Sequence, residues 1–352
     1  MSVPILLLII KVLLTLMVLL IITIYTYLSA KKKRHFQLLK IRSNLDPLIT
    51  QIIVDESSAT DQQIQELKKH LKTSLAKRFM IEELIRSKQN YSGEIAEKII
   101  DIYLKLDLKK YSLNKINKDK NWYVKARGIQ ELYMMEQKKS YPEIYEYTDA
   151  KNEFVRNEAQ IGMIHLVGFK GLHFLERVTH PITDWQQLKL LEQLKLYSEK
   201  TDISADIPGW LSSTNDSVVL FALKLCDEFQ YFQLTSDIKY CLNHQSAAVK
   251  TRAVITLMQL ENDQTAKILL NYFRWAPRKD QILILDGLAH LATEENTEKL
   301  LEILDSADDT IKLKAAIAIA HASKSGLKIL EEKSNLQPEP YQRILLHILT
   351  ES

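Results

Sequence analysis

Residues 152–166, NEFVRNEAQIGMIHL, decide how the chain is read. Phe154, Val155, Ala159, Ile161, Gly162, Met163 and Leu166, with Val167 just beyond, return at three- and four-residue steps, as in a helix that buries one side. Weaker copies recur along the chain. Each is aligned on a residue in the place of Val155, with a small residue four positions later. They begin with Val124 to Gly128, followed by Val155 to Ala159 and a degenerate copy near Trp185. Val218 to Ala222, Val249 to Ala253, Leu283 to Gly287 and Ile311 to Ala315 complete the series. Successive anchors lie roughly 28 to 34 residues apart, room for two helices of about a dozen residues and two short turns.

One amphipathic hairpin cannot cover its own apolar faces, so such units stack and share a core. The small residue lets neighbouring helices approach, and Asn215-Asp216, Asp280 and Asp308-Asp309 supply capping side chains at the helix starts. Turn signals fall where each hairpin must reverse. They are the capping-box pattern Ser140-Tyr141-Pro142-Glu143, Gly168 to Gly171, His180-Pro181, Ile207-Pro208-Gly209, Asn262-Asp263, Ala276-Pro277 and Thr293. Pro338 and Pro340 precede a last short helix, YQRILLHIL.

These units resemble HEAT repeats, whose second helix opens with an Asp, then Val-Arg or Val-Lys, then an Ala. Residues 152–166 and 246–260 match best, and the resemblance covers about residues 115–325. It implies a right-handed α-solenoid of helical hairpins whose concave side commonly binds a partner. It specifies little about activity, because such arrays host scaffolds, transport factors and a few enzymes.

Ahead of the array, nearly every residue from Ile5 to Leu28 is apolar or Thr, and about 24 residues of helix make roughly 36 Å, enough to cross a hydrocarbon core of about 30 Å. Lys11 is the only charge within it. A central Lys costs about 2.5–3.5 kcal/mol, several times less than the apolar residues return, so insertion wins. The start MSVP carries no cation, and Leu28-Ser29-Ala30 is a poor cleavage site, so an uncleaved anchor is expected rather than a signal peptide. Tyr25 and Tyr27 suit an interfacial belt. Lys31, Lys32, Lys33 and Arg34 then place the carboxyl-terminal side in the cytoplasm, as a single-pass protein of the inner or plasma membrane.

The organisation expected is an anchor with its basic stop over 1–34 and juxtamembrane helices and linker over 35–60. Degenerate hairpins follow over 61–120, and HEAT-like repeats with a carboxyl-terminal cap over 121–352. Asp46-Pro47 reads as the start of a second short helix, and Ser57-Ser58-Ala59-Thr60 as a linker. Thr60 and Gln63 form a capping box before one helix through Ile85, with Ile64, Leu67, Leu71, Leu75, Phe79 and Leu84 along its stripe. Ser92-Gly93 starts another, carrying Ile95, Ile99, Ile102 and Leu106.

Composition agrees with an all-α chain: 46% of 352 residues are hydrophobic, and only 8 Gly and 8 Pro interrupt them. Net charge is +3, but five of the 47 basic and none of the 44 acidic side chains lie in residues 1–34. The remainder is near neutral, which removes the general electrostatic case for nucleic acid. Cys226 and Cys241 lie in helical runs in no CxxC spacing and read as buried thiols.

Candidate partner-binding residues are Trp122, Arg127, Arg156, Trp185, Trp210, Lys250, Arg252, Trp275 and Arg278. The four Trp stand near turns, where a large aromatic either closes a hairpin core or anchors a partner. In HEAT-like arrays the resemblance implies that Arg156, like Lys125, Lys250 and Lys312, pairs with an Asp or Asn of a neighbouring turn. His165, His173 and His180 with Glu176 lack the helical spacing of a metal site, and no HExxH, GxSxG, GxxxxGK or GxGxxG motif is present. The expectation is a non-enzymatic, cofactor-free, membrane-tethered cytosolic scaffold. Its partner would be a membrane-associated protein such as an envelope glycosyltransferase, with no nucleic acid and no small-molecule substrate. The alternative is a HEAT-like enzyme of DNA glycosylase or lyase type with a basic or aromatic concave groove.

Overall fold

A computed structural model describes residues 3–54, 59–197, 201–260, 264–323 and 325–351. The expected turn at Asn262-Asp263 and the Ser57-Ser58 part of the linker lie outside them. The described residues form helices and turns with no strand, so the chain is all-α. They gather into two compact units, Met1–Leu166 and Val167–Ser352.

The first unit opens with α1 (Val3–Val54), a single helix of 52 residues. Its apolar part has a mean hydropathy of 2.3, with none of its described residues buried, and is long and apolar enough to cross a membrane. The helix does not stop where the sequence suggests. Pro47 lies inside it, and no second helix begins at Asp46-Pro47. The reason is packing: Leu45, Ile49, Ile52 and Ile53 continue one buried stripe into the core of this unit. Burial of each is worth about 1.5–3 kcal/mol, which together outweighs the roughly 3 kcal/mol that an interior proline costs.

Six further helices and the start of the repeat pattern complete this unit. They are α2 (Asp61–His70), α3 (Ser74–Asn90), α4 (Glu94–Lys105), α5 (Leu108–Lys118), α6 (Trp122–Met134) and α7 (Tyr141–Tyr145), followed by α8 (Glu153–Val167). The Thr60–Gln63 capping box forms as expected. The single helix expected through Ile85 is broken, because Thr73 Oγ1 accepts from Ala76 N at 3.1 Å and starts α3 afresh. The second box, at Ser140 and Glu143, does not form: α7 begins there with no side-chain cap, and both Ser140 Oγ and Glu143 Oε2 are buried without a partner.

A polar network runs through the core of this unit. Tyr103 Oη donates to Ser112 Oγ at 3.0 Å, Ser112 Oγ donates to Glu131 Oε2 at 2.7 Å, and the Lys115 ammonium is paired with the other Glu131 oxygen. Together these tie α4, α5 and α6. Gly128 is needed beside them, since a Cβ there would come within 2.9 Å of Lys115 Cβ, Ile116 Cγ1 and the Ser112 carbonyl.

Between α6 and α8, Tyr133 Oη donates to Glu158 Oε2 at 2.9 Å. Burial raises the Glu158 pKa above its ordinary 4.5, and the Tyr133 hydrogen bond offsets only part of that. A carboxyl group raised in this way favours the folded state when protonated, and that advantage is lost as pH rises through its folded pKa. Glu158→Gln is therefore expected to raise the melting temperature at pH 7, because the amide oxygen can still accept from Tyr133 without carrying charge. The gain should shrink toward zero below about pH 4.5, as followed by circular dichroism melts across pH.

The second unit begins with a 3₁₀ run, Gly168–Glu176, then α9 (Asp184–Leu196), α10 (Ile207–Leu211), α11 (Asp216–Glu228) and α12 (Thr235–Tyr240). It continues with α13 (Ala247–Leu260), α14 (Thr265–Phe273), α15 (Arg278–Leu291), α16 (Thr297–Leu304), α17 (Asp309–Ala322), α18 (Gly326–Leu336) and α19 (Pro338–Glu351). Ile207-Pro208-Gly209, expected as a turn, is helical, with Pro208 in the first turn of α10, where its missing N–H costs nothing. Helices α11, α13, α15 and α17 pack side by side in chain order. Cys226 and Cys241 are buried free thiols, both raised by burial, to about 12 and about 11.

The structure settles the register of the two irregular copies. In α11 and α17 the anchors, Val218 and Ile311, stand three residues after the capping Asn215 and Asp308, whose side chains accept from first-turn N–H groups. The same place in α9, after the capping Thr183, is Gln186. In α15, after Pro277, it is Asp280, not Leu283. Asp280 is no cap: it is 1% exposed and Thr251 Oγ1 donates to it at 2.7 Å. With this correction Val218, Val249, Asp280 and Ile311 follow one another at an even interval of about 31 residues. The two copies with a polar anchor, Gln186 and Asp280, are also those whose residue four later is large, Leu190 and Ile284.

Candidate interaction surface

Helices α6 and α8 open with large aromatic side chains in their first turns, where the cylinder meets solvent. Trp122 stacks on Phe154 with ring centroids 4.8 Å apart and planes 23° apart, and Tyr123 meets Trp122 edge-on at 5.9 Å. Val155 is buried and Val124 half-buried, and their neighbours Phe154 and Tyr123, turned about 100° from them on the helix, face solvent. Phe154 is fixed further by the cap of α8, whose Val155 N–H donates to Asn152 Oδ1 at 3.2 Å. All three rings remain open: Trp122 is 45% exposed, Tyr123 58% and Phe154 58%. A stacked pair is worth about 0.5–1.5 kcal/mol beyond its buried area, so the shelf is held in shape before anything touches it.

The charged candidates are differently placed. Arg127 Nη2 is 2.7 Å from Glu82, Arg252 Nη2 is 2.6 Å from Asp227, and Arg278 Nε is 2.6 Å from Asp308. In the second unit these belong to a series that links alternate helices, α9 to α11, α11 to α13 and α15 to α17, with Lys224 to Asp184 at 2.9 Å and Lys314 to Asp286 at 2.6 Å. Arg156 is not available to a partner: it is buried, and its Nη1 donates to the Ala150 carbonyl at 2.8 Å rather than to a neighbouring Asp or Asn. Lys125 likewise donates to the Ile116 carbonyl and lies over Tyr147, Lys312 lies over the Tyr341 ring, and Lys250 is half-buried on α13.

Trp210 is also withdrawn from the surface, being 3% exposed in the core beside α11. Trp185 and Trp275 do face solvent, at 65% and 78%, each beside a cation: Lys189 Nζ lies 4.8 Å from the Trp185 ring centre and the Arg274 guanidinium 5.6 Å from that of Trp275. Lys31, Lys32, Lys33 and Arg34 are all exposed on α1. His173 is paired with Glu176 at 3.0 Å, while His165 packs against the Tyr133 ring at 5.2 Å.

Tyr123 was not singled out by sequence reasoning, and Phe154, expected on the buried side of its helix, is instead 58% exposed, although a signal for both existed. In the corrected register the residue just before the anchor is aromatic in three consecutive copies, Tyr123, Phe154 and Trp185, and in none of the later ones. The misplaced Trp185 copy hid that column.

No family model matches the chain. No curated protein matches it either. Among solved structures it is similar to an engineered protein from the Northeast Structural Genomics Consortium, at 13% identity and a TM-score of 0.37, over 85% of this chain and 92% of the other. It is similar as well to the complex of CpcE and CpcF of phycocyanin lyase from Nostoc sp. PCC7120, at 10% identity and a TM-score of 0.27, over 85% and 97%. A second engineered protein from the same consortium gives 12% identity and a TM-score of 0.24, over 75% and 97%.

Proposed function

We propose that the chain is a membrane-tethered cytosolic scaffold, in which HEAT-like helical hairpins arranged as a right-handed α-solenoid present a surface to a protein partner. The observation that carries the reading is the open aromatic shelf of Trp122, Tyr123 and Phe154, in the same compact unit as an apolar helix able to cross a membrane. Large aromatics at the centre of a contact supply much of its energy, and most of the charged candidates are already occupied within the fold. The basic residues after the span favour a cytoplasmic position for both units. A partner confined to the same bilayer meets the shelf without a search through the cytosol, so the reading names a membrane-associated protein, with an envelope glycosyltransferase as one such enzyme.

Photocrosslinkers placed at Tyr123 in the native membrane test this directly. One dominant adduct is expected, and Trp122→Ala with Phe154→Ala should reduce its yield at least about tenfold while the circular dichroism spectrum is kept. Recovery of the intact protein alone, with no stoichiometric adduct in repeated trials, sinks the scaffold reading. Base release from DNA or turnover of a protein-bound pigment by the purified chain would favour the enzymatic alternative.

A further inference from the structure

The cations after the apolar run are held more strictly than a topology signal requires. Lys31, Lys32, Lys33 and Arg34 lie inside α1, with continuous helix on both sides, so they cannot fold back on the rest of the chain. At about 100° per residue four consecutive side chains point in four directions and form a ring around the rod. All four are exposed, and among the described residues none is paired with a carboxylate. The chain offers none nearby. No Asp or Glu precedes Asp46, and Asp46 is itself bonded to Arg42 at 2.8 Å.

Depth completes the argument. The apolar run ends at Leu28, and Lys31 and Arg34 stand three and six residues beyond it, about 4.5 and 9 Å of helix, against the roughly 5–8 Å that the headgroup layer adds on each side of a bilayer. With their long side chains able to reach back, the four cations of the ring sit at that layer when the apolar run fills the hydrocarbon core. Phe36, 59% exposed, follows two residues after the ring, with Lys32 Nζ 6.0 Å from its ring centre. An unneutralised ring of charge fixed at that depth needs anions, and the anions present there are phospholipid phosphates.

We propose that Lys31, Lys32, Lys33 and Arg34 form a collar that binds the headgroups of anionic phospholipids. This rests on α1 spanning a bilayer. The collar encircles the helix and builds no pocket, so it selects by charge and not by headgroup stereochemistry. Phosphatidylglycerol and phosphatidylserine should then be held equally, several lipids at a time, and released by salt.

The test uses the full chain reconstituted in phosphatidylcholine bilayers with a trace of spin-labelled phosphatidylglycerol, phosphatidylserine or phosphatidylcholine. The expected result is a preference of about threefold or more for both anionic probes at low salt, falling toward one at high salt. Replacing all four residues by Gln (K31Q, K32Q, K33Q, R34Q) should remove the preference, whereas K31R, K32R and K33R together should keep it. Equal association of the three probes with the wild-type chain, or a preference that survives in the Gln variant, overturns the proposal. Carbonate extraction of the same samples separates the two ideas. A chain that stays in the bilayer without lipid preference defeats the collar alone, whereas a chain released by carbonate defeats the spanning helix and the collar with it.

Discussion

Replacing Glu131 by Ala is expected to lower the unfolding free energy by about 3–5 kcal/mol. Its side chain is 2% exposed and its two carboxylate oxygens serve two partners, the Lys115 ammonium and Ser112 Oγ. Without it Lys115, whose side chain is only 9% exposed, keeps its charge in the core with no counterion, left with the face of the Tyr111 ring 4.5 Å away. Burial already pulls the Lys115 pKa below its ordinary 10.5 against the opposing pull of Glu131, which shows the direction in which the ammonium would be pushed further. The decisive comparison is the paired replacement of Lys115 by Met and Glu131 by Leu, which removes both charges while keeping the volume. It should cost far less than the single substitution, since a buried ion pair returns little beyond its own desolvation. Denaturant unfolding of the detergent-solubilised chain measures both, and a single substitution no worse than the double would refute the account.

Asp280→Val is expected to act in the opposite direction and raise stability by up to about 2 kcal/mol. Val218, Val249 and Ile311 fill the equivalent place with aliphatic side chains that are 6% exposed or less. In α15 the carboxylate has one oxygen satisfied by Thr251, while Oδ2 is buried without a partner, as is Tyr272 Oη. An unmet buried acceptor costs about 1–3 kcal/mol, against about 1 kcal/mol for the hydrogen bond that Val would forfeit. The measurement is again the unfolding midpoint, with hydrogen exchange on α13 and α15 to locate the gain. An unchanged or lowered midpoint would mean that Asp280 is satisfied in solution.

Much of this fold could be read from residue spacing, and the failures have identifiable physical causes. The all-α class and the copies at Val155, Val218 and Ile311 were legible because apolar periodicity and a capping Asn or Asp coincide there, while Val249 was legible from periodicity and its small Ala253. Where the anchor is polar, at Gln186 and Asp280, the apolar signal is carried instead by a nearby aromatic or aliphatic residue, Trp185 or Leu283. Local chemistry alone could not show that Asp280 is enclosed by neighbouring helices. Proline misled for the same reason: Pro47 breaks a helix by local rules, but the apolar face beneath it carries α1 through. The candidate surface was half legible. Trp122 was named, but its stacking partner Phe154 lies 32 positions later and is brought beside it only by the pairing of α6 with α8.

The unbroken course of α1 from Lys31 through Leu45 makes direction, as well as distance, a property of chain length. For a rod seated in a bilayer, each residue inserted between Arg34 and Ile41, ahead of the part of α1 that packs on the core, lifts the helices that follow by about 1.5 Å and swings them by about 100° around the membrane normal. One added alanine would thus turn the aromatic shelf a quarter-circle away from a neighbour in the plane, while seven would return it to nearly the original bearing some 10 Å higher. Crosslinking yield that rises and falls with helical phase, instead of decaying steadily with spacer length, would identify α1 as a compass needle and not a leash.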